Sequence, residues 1–303
     1  MLEPASTPPG PDRHPAPARS TGLYLRGIAM GTADLIPGVS GGTMALILGI
    51  YQELIASLGS LTSPPFLDAL VHLRLRRAFR LANGGFLTAV LLGIATAVLA
   101  LSRLMHWLLA HHPGAVHAFF FGLILASAGL VARRVGRWTP GAVAGALLAT
   151  AGAFGLVGLA PTATPDAVAF LVLSGALAVC ALMLPGISGA FVLVLLGKYD
   201  TALAAVTRLD LAVLLPLAVG AVLGLLTFAR LLAWLLRRAH DTTLAVLAGF
   251  MLGSLRKVWP FVAAQDHVVW PWQAPGAPLL LLLLVAGAIT VAWLERAGER
   301  RDA

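Results

Sequence analysis

Two apolar stretches, 23–59 and 167–206, are each broken in the middle by the same pattern, Pro-Gly-x-Ser-Gly. Proline removes a backbone donor and glycine permits turns closed to other residues, so neither stretch can run as one continuous helix. In water such a break costs little. In lipid it is severe, because unpaired amides and carbonyls find no partner there. Lipid is nonetheless what the composition demands: apolar residues make up 59% of the 303 and charged residues only 11%, against roughly 25% charged in a soluble domain. The chain reads as an all-α polytopic membrane protein.

Runs of about 20 apolar residues, long enough to span a bilayer, lie at 86–108, 115–132, 140–160, 211–236 and 276–294, with a shorter one at 242–255. Residues 1–22 are rich in Pro, Ala and polar residues and read as a disordered tail. The segment 60–85 reads as a long loop carrying Arg74, Arg76, Arg77 and Arg80. The formal charge is +8. Its basic residues form short clusters between apolar runs, which suits anionic lipid rather than nucleic acid. With both broken stretches re-entrant, 15 of the 21 Lys and Arg fall on the side of the amino terminus. By the positive-inside rule that side is cytoplasmic, for both termini. The lone cysteine, Cys180, excludes an intrachain disulfide. No His/Cys/Asp cluster has metal-ligand spacing and no glycine loop has nucleotide-binding form, so no cofactor or metal is expected.

The two broken stretches are copies. PGVSGGTMALILGIY at 37–51 aligns without gaps to PGISGAFVLVLLGKY at 185–199, with 7 of 15 positions identical. Further on, 103–127 resembles 230–254: Arg103 matches Arg230, Trp107 matches Trp234, Gly122 matches Gly249 and Ser127 matches Ser254. The chain then divides into the tail 1–22, a first repeat 23–160, a second repeat 161–294 and a cytoplasmic tail 295–303. Each repeat is a re-entrant hairpin plus three spans. Three is odd, so the second repeat enters the membrane upside down, the pattern of secondary transporters with a site at the midplane.

In this reading Pro37 and Pro185 end the incoming half-helices, and the glycines Gly38, Gly41, Gly42, Gly186 and Gly189 let the backbone turn. The outgoing half-helices start with free N–H groups at their positive ends, a setting for an anion. Ser40, Thr43 and Ser188 add hydroxyls. The alternative is that the motif merely kinks and packs helices. Asp34 is an intramembrane carboxylate, a candidate proton carrier or arginine partner, and otherwise a backbone cap. Arg103 and Arg230 would draw a lipid phosphate inward or snorkel to the headgroups. Glu53, Asp200, Tyr51, Tyr199 and the histidines 106, 111, 112 and 117 read as exposed or interfacial.

Three blocks carry a family resemblance: MGTADLIPGVSGGTMALILGIYQELI at 30–55, LPGISGAFVLVLLGKYD at 184–200 and GFMLGSLRKVWP at 249–260. Together they are similar to the hallmark blocks of the polyprenyl-phosphate transporter family PopT, and the likeness spans roughly 23–294. It implies a bacterial or archaeal inner-membrane protein that returns undecaprenyl phosphate from the outer to the cytoplasmic leaflet, recycling the carrier of envelope polymers. It extends the site to Ser254 and Arg256 in the third block, with Gly253, Trp259 and Pro260. Ala190 departs from the family pattern, where Ser is frequent. The expected partners are the polyprenyl-phosphate lipid and membrane lipids, with protons or membrane potential as the driving force. The sequence marks no oligomeric state. Two rivals are weighed against this: a transporter of a small soluble anion, and a membrane-embedded lipid phosphatase, for which the spans offer no nucleophile beside a base.

Overall fold

A computed structural model describes residues 17–35, 40–162, 164–165, 167–261, 269–271 and 276–302. The expected disordered tail falls mostly on 1–16, outside the described residues, while its end, from Pro17, already belongs to the first helix. The described residues form helices in the order α1 (Pro17–Asp34), α2 (Gly41–Ile47), α3 (Tyr51–Ser60), α4 (Pro64–Val71), α5 (Leu75–Leu81), α6 (Gly84–His111), α7 (Pro113–Arg133), α8 (Pro140–Leu156), α9 (Val168–Met183), α10 (Gly189–Leu195), α11 (Tyr199–Arg208), α12 (Leu211–Arg238), α13 (His240–Ser254), a 3₁₀ turn (Leu255–Val258) and α14 (Ala277–Asp302). No strand occurs among them. Four helices are long and apolar enough to cross a membrane: α6, α7, α12 and the first 20 residues of α14. At about 1.5 Å per residue, the 28 residues of α6 and of α12 outreach a hydrocarbon core of about 30 Å.

Two expectations need correcting. The segment 60–85 is not an open loop but holds α4 and α5, started by a side-chain cap from Ser63 and a proline in the first turn of α4. The outgoing arm of each broken stretch is itself broken: α2 and α3 meet at 120°, α10 and α11 at 112°. Both bends use one device. Gly49 (φ +72°) and Gly197 (φ +65°) take the left-handed conformation that ends a helix. The amides of Gly49 and Ile50 then bond back to Leu46 and Ala45, and those of Gly197 and Lys198 to Val194 and Leu193. These glycines were matched in the sequence alignment, but their role as bends was not read.

Helices pack in four intimate pairs: α1 on α6, α9 on α12, α8 on α13 and α7 on α14. Glycine sets each closeness, as is usual where helices meet in lipid. A methyl on Gly93 would strike the Tyr24 carbonyl and one on Gly27 the Val90 carbonyl. At the corresponding places of the second pair, Gly220 abuts the Val172 carbonyl and Gly175 the Leu217 carbonyl. Likewise Gly249 lies on the Ala146 carbonyl, Gly122 on the Leu284 carbonyl and Gly287 on the Phe119 carbonyl. Helices α8 and α14 share the tetrapeptide VAGA, at 143–146 and 285–288, whose glycines Gly145 and Gly287 both face the partner helix.

Candidate functional site

The start of α2 meets the end of α9 and the second Pro-Gly-x-Ser-Gly segment. Ser40, extended at φ −122° and ψ 135°, caps α2 by accepting from the Gly42 amide at 3.1 Å. Its hydroxyl also lies 3.4 and 3.3 Å from the carbonyls of Leu182 and Leu184, at the end of α9. One turn on, Thr43 Oγ1 accepts from the Gly186 amide at 2.9 Å. The Tyr51 hydroxyl donates to the Met183 carbonyl at 2.9 Å. Three side chains from the first copy thus satisfy the backbone of the second, which lipid could not do. Ser40 and Thr43 are fully buried and Tyr51 nearly so.

The remaining contacts explain the glycines. Gly186 sits at φ +91°, and a Cβ there would come within 2.6 Å of Ser254 Oγ, so both conformation and space exclude a side chain. Ser254, fully buried, turns its own hydroxyl onto the Met251 carbonyl at 2.8 Å. Gly189 backs against the Ala178 carbonyl. Asp34 Oδ1 accepts from the Gly41 amide at 2.6 Å, so a carboxylate already holds the first amide of α2. The Gly41, Gly42 and Gly186 amides therefore all have acceptors from the protein in this conformation. Ser188 differs: its hydroxyl makes no cap hydrogen bond to α10, although the residue is buried beside Pro185. Pro37 and Gly38 lie outside the described residues.

The predicted arginines are placed elsewhere. Arg230 Nη2 donates to the Thr62 carbonyl at 2.9 Å, fixing the end of α3 to α12. Arg256 Nη1 donates to the Phe154 carbonyl at 3.0 Å, with its guanidinium over the Phe154 ring. The 3₁₀ turn after Ser254 directs it sideways onto α8. Arg103 is exposed on α6. Lys257 stands beside the second copy, its Nζ 4.9 Å from the centre of the Phe191 ring on α10. His117 is within its electrostatic reach.

Lys198 is the other residue missed. It is 1% exposed, with Nζ donating to the Thr164 carbonyl at 2.6 Å. Thr162 and Thr164 also bond the carbonyls of Leu195 and Leu196, so the segment before α9 is strapped onto the α10–α11 bend. The signal lay in the repeat alignment, which sets Lys198 opposite Ile50, itself 1% exposed.

Comparison with known proteins gives this arrangement a family. The model of the undecaprenyl phosphate translocase-like family matches residues 30–271. A polyprenyl-phosphate transporter of Vibrio cholerae serotype O1 is 41% identical over 266 residues, covering 86% of this chain and 83% of the relative. A polyprenyl-phosphate transporter of Staphylococcus aureus is 30% identical over 264 residues, covering 81% and 88%. No solved structure matches. Both loops, the 3₁₀ turn and the straps around them fall inside the matched region, and the chain belongs to the undecaprenyl phosphate translocase-like family.

Proposed function

We propose that this protein moves polyprenyl phosphate between the leaflets of a bacterial inner membrane, returning the undecaprenyl carrier to the cytoplasmic side. The family and both relatives, named for the same lipid phosphate, support the substrate class. The observation that carries the mechanism is the contact of Ser40 with the end of α9 and of Thr43 with Gly186, which brings the two repeat copies together. A phosphate crossing hydrocarbon needs its charge answered by donors, and the amides of Gly41, Gly42 and Gly186 with the hydroxyls of Ser40, Thr43 and Ser188 are a matching set.

In the conformation described, those amides serve Asp34, Ser40 and Thr43, so this is the closed state of the cycle. Three cross-loop links hold it, from Ser40, Thr43 and Tyr51. At about 0.5–1.5 kcal/mol each they make a lock of a few kcal/mol, weak enough to open thermally. Opening frees the amides for the headgroup while the polyprenyl chain stays in lipid. Asp34 leaves Gly41 in that step and is the group through which protons would couple.

The halves are related by inversion in this account. Support comes from the order of elements, with α1, α2, α3, α6, α7 and α8 corresponding to α9, α10, α11, α12, α13 and α14, and from glycine crossings at equivalent places. Ser188→Phe tests the site. The bulky ring should abolish leaflet exchange of a fluorescent polyprenyl phosphate in liposomes while the protein still inserts and folds. Undiminished exchange would refute the role of the loops.

A further inference from the structure

A cavity of about 180 Å³ lies in the notch of the α2–α3 bend, against the end of α7 and the start of α13. Leu46, Gly49 and Tyr51 line its inner side, and Gln52, Arg134 and His240 supply polar groups. It is smaller than the roughly 300–1,000 Å³ of pockets for drug-sized ligands, so it takes a headgroup rather than a lipid tail. We infer that this cavity is a docking site for a phosphomonoester headgroup on the arginine-rich face, occupied as the headgroup leaves the loops. This rests on the transport function proposed above.

Three features support it. First, the backbone that carries the polar groups is held in place. The Asp241 carboxylate accepts from the Gly136 and Arg137 amides, both at 3.0 Å, which ties the connection after α7 to the first turn of α13. That clamp holds Arg134 and His240 against the same space. Second, the donor chemistry suits a phosphate. Arginine presents a planar fork matched to phosphate oxygens. His240 Nδ1 faces the Leu236 carbonyl at 3.2 Å, so in the neutral ring Nε2 is left as an acceptor for the P–OH of a singly protonated phosphomonoester. The Gln52 amide adds neutral donors.

Third, the cavity is coupled to the loops. Its wall residue Tyr51 is the one whose hydroxyl holds the Met183 carbonyl just ahead of the second loop. Leu46 and Gly49 belong to the short arm that carries Ser40 and Thr43 at its other end. An anion seated here pulls on that arm. In the other half the position corresponding to Gln52 is Asp200, a carboxylate that would repel a phosphate. Docking of this kind therefore belongs to one face of the membrane.

The test uses the full chain in nanodiscs, with farnesyl phosphate and inorganic phosphate as probes and ³¹P line broadening as readout. Arg134→Gln and His240→Gln should each weaken farnesyl phosphate binding at least tenfold, and Arg134→Lys by less. Arg137→Gln, which removes an exposed charge from the same connection, should change it by less than twofold. Equal effects of Arg134→Gln and Arg137→Gln would overturn the site as a mere surface charge. Binding of inorganic phosphate with exclusion of farnesyl phosphate would overturn the headgroup assignment in favour of free phosphate. Leaflet exchange measured on the same preparations separates the two claims. Exchange by the wild type with unaltered binding in Arg134→Gln sinks this cavity alone, whereas absent exchange in the wild type sinks the transport function.

Discussion

Replacing Thr43 by valine removes one hydroxyl and little else, since the two side chains have nearly the same shape. In the closed state that hydroxyl is the acceptor for the Gly186 amide at 2.9 Å, with Thr43 fully buried. Gly186 is buried too. A buried amide left without a partner costs about 1–3 kcal/mol. At about 1.4 kcal/mol per decade, the closed state loses roughly 5- to 150-fold in its population relative to the open one. The assay is thiol accessibility. Cys180 is the one cysteine, so Cys180→Ala with Ser188→Cys places a single reporter in the second loop, which is only 7% exposed at that position. When opening is fast compared with labelling, the rate of modification by a small polar thiol reagent tracks the open population. Thr43→Val should raise that rate by the factor above, and Thr43→Ser, which keeps the hydroxyl, should not. A folded Thr43→Val protein that labels at the unaltered rate would refute the reasoning that this bond holds the loops shut.

Further outcomes follow from single positions. Gly220→Ala puts a methyl against the Val172 carbonyl and should cost about 1–3 kcal/mol by overpacking, read as a lowered thermal midpoint in detergent. Gly152→Ala meets open space in α8 and should be neutral or stabilising by up to about 1 kcal/mol; similar midpoints for the two would contradict the packing account. Lys198→Ile installs the residue that fills the equivalent place in the first half, so the fold should persist. Losing the ammonium's bond to the Thr164 carbonyl should raise limited proteolysis around that residue about tenfold, given about 1.5–3 kcal/mol for a charged hydrogen bond. Asp34→Asn keeps an acceptor for the Gly41 amide and should leave the midpoint nearly unchanged while lowering leaflet exchange at least tenfold; full exchange would remove Asp34 from the coupling.

What the sequence made legible were features written in residue type and period. Uninterrupted apolar runs located α6, α7, α8, α12 and the apolar part of α14 within a few residues, because lipid accepts little else. The repeated Pro-Gly-x-Ser-Gly located both broken segments, because its residues are specific to backbone breaks. Its resemblance to the family was equally plain. What stayed hidden depended on partners distant in the chain. The bend in each outgoing arm rests on Gly49 and Gly197, and a glycine in an apolar run is as often a helix contact, as Gly93 and Gly220 are. Arg103 and Arg230 carry two readings in the sequence, drawing a lipid phosphate inward or snorkelling, and Arg256 enters only through the family blocks. In the structure Arg230 and Arg256 bond the carbonyls of Thr62 and Phe154, which no spacing rule encodes. Ser40 and Thr43 belong to the motif the sequence marks, yet their bonds to Leu184 and Gly186 cross more than 140 positions of chain.

The most direct measurement reconstitutes the wild-type chain in sealed liposomes carrying a labelled polyprenyl phosphate in one leaflet and radiolabelled inorganic phosphate outside. The account predicts that the lipid equilibrates between leaflets, that empty liposomes and Ser188→Phe leave it where it began, and that no inorganic phosphate enters the lumen. Accumulation of inorganic phosphate with the lipid left in place would contradict it.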